Sequence, residues 1–161
     1  MARRGDRTAR KVRLQARDGE DLKILSAMLQ DAAVRVGDIA WLPRQRRFAL
    51  GGSRFRWERA VAGERPERIG FGAHVDSVLS VAHRGIAQDR LDEVLVLLAL
   101  TLAEAGDGSA ELGLIFAGGG AINLRVECID MTLSDLGMPY PTRLKPRHDL
   151  AGPEDGGETA T

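Results

Sequence analysis

"IFAGGGAINLRVECI", residues 115–129, sets three consecutive glycines between two apolar runs. The reading of this stretch decides the fold. A helix after the glycines would make them a phosphate-cradling loop and point to an α/β enzyme. A strand after them would make a hairpin and point to an antiparallel sheet. The residues that follow alternate strictly. Ala121, Asn123, Arg125 and Glu127 face one way, and Ile122, Leu124, Val126 and Cys128 face the other. That is the period of a half-buried strand. Leu112, Leu114 and Phe116 alternate in the same way before the glycines, and no Gly-Lys-Ser/Thr follows them. The stretch predicts a β-hairpin whose glycines supply positive φ without steric cost. Cys128 falls on its apolar face and is expected as a small buried core residue, since a nucleophilic cysteine needs a base and exposure.

Working outward, "KVRLQA" (11–16) alternates as a short strand. A helix is predicted over 20–32, capped by Asp18 and carrying Leu22, Leu25, Leu29 and Ala32 as its apolar stripe. "VRVGDIAWL" (34–42) reads as one strand whose parity breaks at Gly37, as in a bulge. "PRQR" (43–46) is a turn, and "RFAL" (47–50) and "GGSRFRWE" (51–58) are extended. Residues 60–69 read as a polar loop, and "GAHVDSVLSVAH" (72–83) as a strand. "DEVLVLLALTLAEA" (92–105) has helix-favouring residues, but it carries no amphipathic stripe and ends in "GDGS". It is predicted as a strand covered on both faces. A final helix over 130–136 is expected, started by Asp130 and stopped by Gly137, with Pro139 beyond.

The 161 residues are 43% apolar and 29% charged, with zero formal net charge. This is the composition of a soluble globular domain with no global field toward nucleic acid or acidic lipid. Residues 11–148 are expected to form one domain, flanked by a disordered basic tail (1–10) and a disordered acidic tail (149–161). Cys128 is the only cysteine, which precludes an internal disulfide and fits a reducing compartment. "MARRGDRTARK" leads into no apolar signal segment, and the longest apolar run, 94–100, is far shorter than the ~20 residues of a membrane span. A cytoplasmic location without membrane contact is expected.

Few side chains suggest chemistry. His74 and Asp76 stand two apart on a predicted strand, a solvent-facing pair that two ligands do not turn into a metal site. His83 and His148 have no partner at a telling spacing, and Ser77, Ser80 and Ser134 lack a nucleophile elbow. No catalytic residue, metal or cofactor is therefore expected. The densest cluster is "PRQRRFALGGSRFRWER" (43–59), with Arg44, Arg46, Arg47, Arg54, Arg56 and Arg59 among Phe48, Phe55 and Trp57. A base-stacking platform needs arginines and aromatics on one face. Alternation instead sends Phe55 and Trp57 to the core and Arg54 and Arg56 to solvent. The six arginines are the candidate binding residues, as a cationic edge that contacts phosphates or an acidic protein, or is simply solvated and guards against edge pairing.

"DLKILSAMLQDAAVRVGDIAWLPRQRRFAL", "RFRWE", "VLSVAHRGI", "FAGGGAINLRVECIDMTLSDLG" and "TRLKPRH" together resemble an alphaproteobacterial family of uncharacterised small proteins, one of the domain-of-unknown-function groups. The resemblance covers nearly all of 11–148. It implies a small cytoplasmic bacterial protein and brings no activity, cofactor or catalytic residue. The family's bulky apolar residues are replaced here by Gly51-Gly52, which puts the strand around 50–53 in question.

The expected fold is a single α+β domain. A mostly antiparallel sheet or partly closed barrel is packed by one helix near the N-terminus and a short C-terminal helix. A pleckstrin-homology-like barrel is one concrete version. The leading functional expectation is a non-catalytic interaction module that binds a protein partner or self-associates as a homo-oligomer. The alternative is weak, phosphate-directed nucleic-acid binding through the Arg-rich hairpin and N-terminal tail. A small enzyme using His74 and Asp76 ranks third.

Overall fold

The computed structural model describes residues 11–143. The expected tails and His148 lie outside that range. The glycine stretch forms the predicted hairpin: β8 (Ala110–Phe116) and β9 (Ala121–Val126) pair antiparallel across it, with Leu112 opposite Leu124 and Leu114 opposite Ile122. Gly118 and Gly119 take φ of 86° and 96°, and Phe116 N–H donates to the Gly120 carbonyl at 2.9 Å. Cys128 lies just beyond β9 and is exposed, not buried. The strand stops at Val126, so its alternation no longer governs the thiol.

Every strand pairing is antiparallel. The remaining elements are β1 (Arg13–Ala16), α1 (Gly19–Met28), β2 (Ala32–Arg35), β3 (Ile39–Leu42), β4 (Arg47–Phe55), α2 (Trp57–Val61), β5 (Glu67–Val75), β6 (Val78–Arg84), β7 (Val94–Glu104) and β10 (Met131–Pro141). One sheet runs in the order β1-β10-β5-β4-β2-β7-β8-β9-β6, with β3 added on β4. Among the described residues its hydrogen-bond ladder does not close. One face of each strand feeds a common core: Ile69, Phe71, Ala73 and Val75 are buried along β5, and the residues between them are half-buried. α1 covers this core with Leu22, Leu25 and Leu29. Asp18 caps it as expected, its Oδ1 accepting from Asp21 N–H at 2.8 Å. The helix is shorter than predicted, and Ala32 belongs to β2.

Four sequence expectations are corrected. Residues 34–42 are two strands, not one, because a 3-10 turn over Val36–Asp38 separates β2 from β3. There Val36 and Gly37 donate their N–H groups to Glu93 and Leu91 instead of to a strand. Residues 72–83 likewise divide into β5 and β6, broken at Ser77, whose φ is 61°. The 92–105 run is a strand, but a register shift after Leu97 changes its parity. Leu95, Leu97 and Leu100 are buried while Val94 and Leu98 are exposed, so only one face is covered.

The fourth correction is the largest. Residues 130–136 do not start a C-terminal helix. β10 pairs there with both β5 and β1. Met131, Leu133 and Asp135 alternate inward, and the acid at the third position hides the period in the sequence. The pleckstrin-homology-like version required a helix at this point; among the described residues the chain is strand.

β4 runs unbroken through Gly51-Gly52. β2 crosses it here through a single pair, Ala33 with Ser53, and then turns to pair with β7. A Cβ on Gly52 would collide with the Ala33 carbonyl oxygen. Glycine is needed for this close approach, which joins the two halves of the sheet. Gly52→Ala should lower unfolding free energy by about 1–3 kcal/mol, the usual cost of forced overpacking. Gly106→Ala, where a Cβ meets nothing within 4 Å, is the control in the same denaturant titration.

Candidate functional site

The six candidate arginines do not form one edge. Arg44, Arg46 and Arg47 sit at the turn that opens β4, and Arg54, Arg56 and Arg59 sit at its other end. At about 3.3 Å per residue the two groups are separated by roughly 25 Å of strand. In the first group Arg46 pairs with Glu127 at 3.0 Å and Arg47 with Asp76 at 2.7 Å, and Arg44 is exposed.

The second group is internal, which overturns the expectation that Arg54 and Arg56 face solvent. The Arg54 side chain is fully buried and Arg56 is 2% exposed. Arg54 uses all five N–H groups. Nε and Nη2 donate to the Asp135 carboxylate at 2.8 and 2.9 Å. Nη1 and Nη2 donate to Glu58 at 3.0 and 2.9 Å, and Nη1 also donates to the Phe55 carbonyl at 3.2 Å. Asp135 Oδ2 accepts a further bond from Val12 N–H. Arg56 pairs with Glu67 at 2.7 Å, and Arg59 with Glu64 at 2.7 Å. The alternation reading failed because both faces of β4 are covered at this end. Phe55 is buried on the opposite face, edge-on to Trp57 at 4.6 Å, and α2 begins at Trp57. One sequence signal was present: Glu58 is four residues after Arg54, the spacing of a helical ion pair. Burial alone would raise the Glu58 carboxyl, but the hydrogen bonds and charge from Arg54 and Arg56 outweigh it and hold the group below its ordinary value.

His74 and Asp76 do meet. His74 Nδ1 is 3.2 Å from Asp76 Oδ2, and Arg47 holds the other carboxylate oxygen. They line a shallow polar depression with Gln15, Asp130 and Thr132, in which Gln15 Nε2 donates to Asp130 at 3.0 Å. Among the described residues no group of three or more His, Cys, Asp or Glu is placed to hold a metal.

A half-enclosed concavity was missed by sequence reasoning. A cleft of about 310 Å³ lies in the gap between β3 and β6. Ile39 and Trp41 of β3, Phe48 of β4, Val81 of β6 and Ile122 of β9 form its walls. The 85–93 loop closes it from above with Ile86 and Leu91. One end is pinned where Val78 N–H donates to the Arg46 carbonyl at 2.9 Å, and the other where Val36 and Gly37 bond to Glu93 and Leu91. The glycine run supports this wall. A Cβ on Gly120 would stand 3.1 Å from Ile86 Cγ1, and one on Gly85 would stand 3.2 Å from the Gly119 carbonyl oxygen. Besides the indole N–H of Trp41, the polar side chains on the lining are His83 and Gln88, which are hydrogen-bonded to each other; no carboxylate, lysine or arginine is among its described residues. The lining comes from segments far apart in sequence, each of which reads alone as ordinary core.

β6 forms one border of the cleft and, among the described residues, pairs only with β9. Glu127 N–H donates to the Ser77 carbonyl, so odd-numbered residues of β9 point their backbone groups at β6. Arg125 is opposite Ser80 and Asn123 opposite Ala82. Val81 and His83 therefore turn their backbone N–H and C=O groups to the open edge. No helix among the described residues is long and apolar enough to cross a membrane.

A sequence profile of the family described as "Protein of unknown function (DUF2948)" matches residues 12–148, and the chain belongs to that family. No curated protein and no solved structure matches it.

Two outcomes follow from the buried charges. Arg54→Met leaves the buried Asp135 without its ion partner and Glu58 with Arg56 alone, and should cost about 3–5 kcal/mol in denaturant unfolding. The Glu58 carboxyl is lowered in the folded state, so its stabilisation is complete above the ordinary carboxylate range and is lost as pH falls through the folded value. Glu58→Gln should be less stable than wild type at about pH 7, and the gap should narrow toward about pH 3.

Proposed function

We propose that the protein is a non-catalytic interaction module that takes a strand of a partner protein along β6. The observation that carries this reading is the character of that edge. β6 is seven residues long and free of proline, and its only Lys, Arg, Asp or Glu is the terminal Arg84. Leu79 on it is 41% exposed. The chain guards its other edges. β1 is four residues long, with Lys11, Arg13 and Arg17 around it. β3 is also four residues long, and the outer end of β10 carries Pro139 and Pro141, which have no N–H to offer. An exposed edge of this kind is the usual platform for strand addition, in which main-chain bonds give affinity and pockets give specificity.

In this reading the sheet is a barrel left open at one seam, and the partner strand fills the seam. A pleckstrin-homology-like ancestry is not required. The solitary thiol of Cys128 fits a reducing compartment such as the cytoplasm. Nucleic-acid binding through the hairpin is the competing proposal, with Arg44, Arg46 and Arg47 as its described contacts.

The test is capture from nuclease-treated lysate by the wild type and by Val81→Pro, which removes one N–H from the open edge. A discrete protein should be retained by the wild type and lost by Val81→Pro at an unchanged melting temperature. Equal capture by both, or no protein captured, would sink the reading. Self-association through β6 would appear as a sedimenting dimer of wild type that Val81→Pro dissolves. Binding to nucleic acid instead would fall steeply with salt, with a log–log slope of about −1 for each phosphate neutralised.

A further inference from the structure

We infer that the cleft between β3 and β6 is a binding site for a small, uncharged, largely apolar molecule bearing one hydrogen-bonding group. The inference does not depend on strand addition; both would use the gap beside β6, so a small molecule in the cleft and a partner strand in the seam would compete. Three observations lead to it. The first is size. About 310 Å³ is at the lower end of the range for small-molecule pockets and well above a packing defect. The second is charge. The lining has no ionised carboxylate, lysine or arginine, and its walls include Trp41 and Phe48. A charged ligand would exchange water for a surface with no counter-charge, so the complementary occupant is neutral.

The third observation is the placement of the polar groups. His83 and Gln88 join the Trp41 indole N–H as polar side chains on the lining, one on β6 and one on the overlying loop, and both are exposed. The Gln88 amide donates to His83 Nε2, so the two can share one ligand donor or acceptor at the mouth. The apolar body of the ligand would then lie over Phe48 and Ile122, which are 1% and 4% exposed. The 85–93 loop is fixed above it by the bonds to Val36 and Gly37, so the site exists before anything binds.

The probe for the test is N-phenylnaphthylamine, a neutral fluorophore with a single N–H. Its sulfonated analogue, anilinonaphthalene sulfonate, has the same rings plus a charge. Trp41 is one of two tryptophans, and Trp57→Phe makes it the only tryptophan donor for energy transfer to the probe under excitation selective for tryptophan over Tyr140. The neutral probe should bind one site per chain, quench Trp41 and bind at least about tenfold tighter than the sulfonate. His83→Ala, at an exposed position, should weaken it by about three- to tenfold, the worth of one hydrogen bond. Ile39→Phe adds bulk from the opposite wall and should weaken it further. Should that variant fail to fold, the comparison of the two probes on unaltered protein decides alone. Absence of binding by the neutral probe would overturn the inference. Equal binding of both probes would also overturn it, as would binding without transfer from Trp41.

Discussion

A guanidinium fully out of water must find five acceptors, and Arg54 finds them on three different elements. Asp135 comes from β10, Glu58 from α2 and the Phe55 carbonyl from β4 itself. The arginine thus clamps strands on either side of β5, since β5 pairs with both β4 and β10. Asp135 passes the constraint on through Val12, whose backbone it meets at both N–H and C=O. The register of one end of the sheet depends on this arrangement, because a shift of one residue in β4 or β10 would turn a charge away from its partner. Replacing such a cluster with apolar residues can be neutral or stabilising. Its value here lies in the alignment that it enforces.

The other end of the sheet is organised by the absence of side chains. Gly52 lets β2 cross β4, and β2 then passes the ladder to β7. The strands from β7 to β6 follow by antiparallel pairing and bring β6 back beside β3 without reaching hydrogen-bond pairing. The cleft is the space that this incomplete closure leaves. Its walls are residues that would be core in a closed barrel. Gly85 and Gly120 then allow the 85–93 loop to lie close enough to roof it. The three glycines that looked like a phosphate loop serve as a hairpin turn and as a seat for Ile86.

The charged and apolar candidates therefore exchange roles. Arg54 and Arg56, conspicuous in sequence as binding residues, hold the fold together. Ile39, Trp41, Val81 and Ile122, which look like ordinary core, line the concavity. His74 and Asp76 are adjacent as their spacing suggested, but they share a shallow depression with Arg47 on Asp76.

The sequence by itself determined what depends on near neighbours. Period-two alternation identified the β8–β9 hairpin and the antiparallel character of the sheet, and an unbroken apolar run ending in a turn signal identified the strand of β7. Asp18 marked the start of α1. Those signals are local because strand parity and helix caps are set by residues one to four positions apart. Tertiary structure alone decided whatever needed a partner far along the chain. Asp135 reads as a helix residue until Arg54, 81 positions away, makes an inward-facing acid tolerable. Arg54 reads as solvent-facing until Asp135 and Glu58 close over the face of β4 that it shares with Phe48 and Leu50. The cleft has no sequence signature at all, because a cavity is a property of the gap between β3 and β6 and not of either strand.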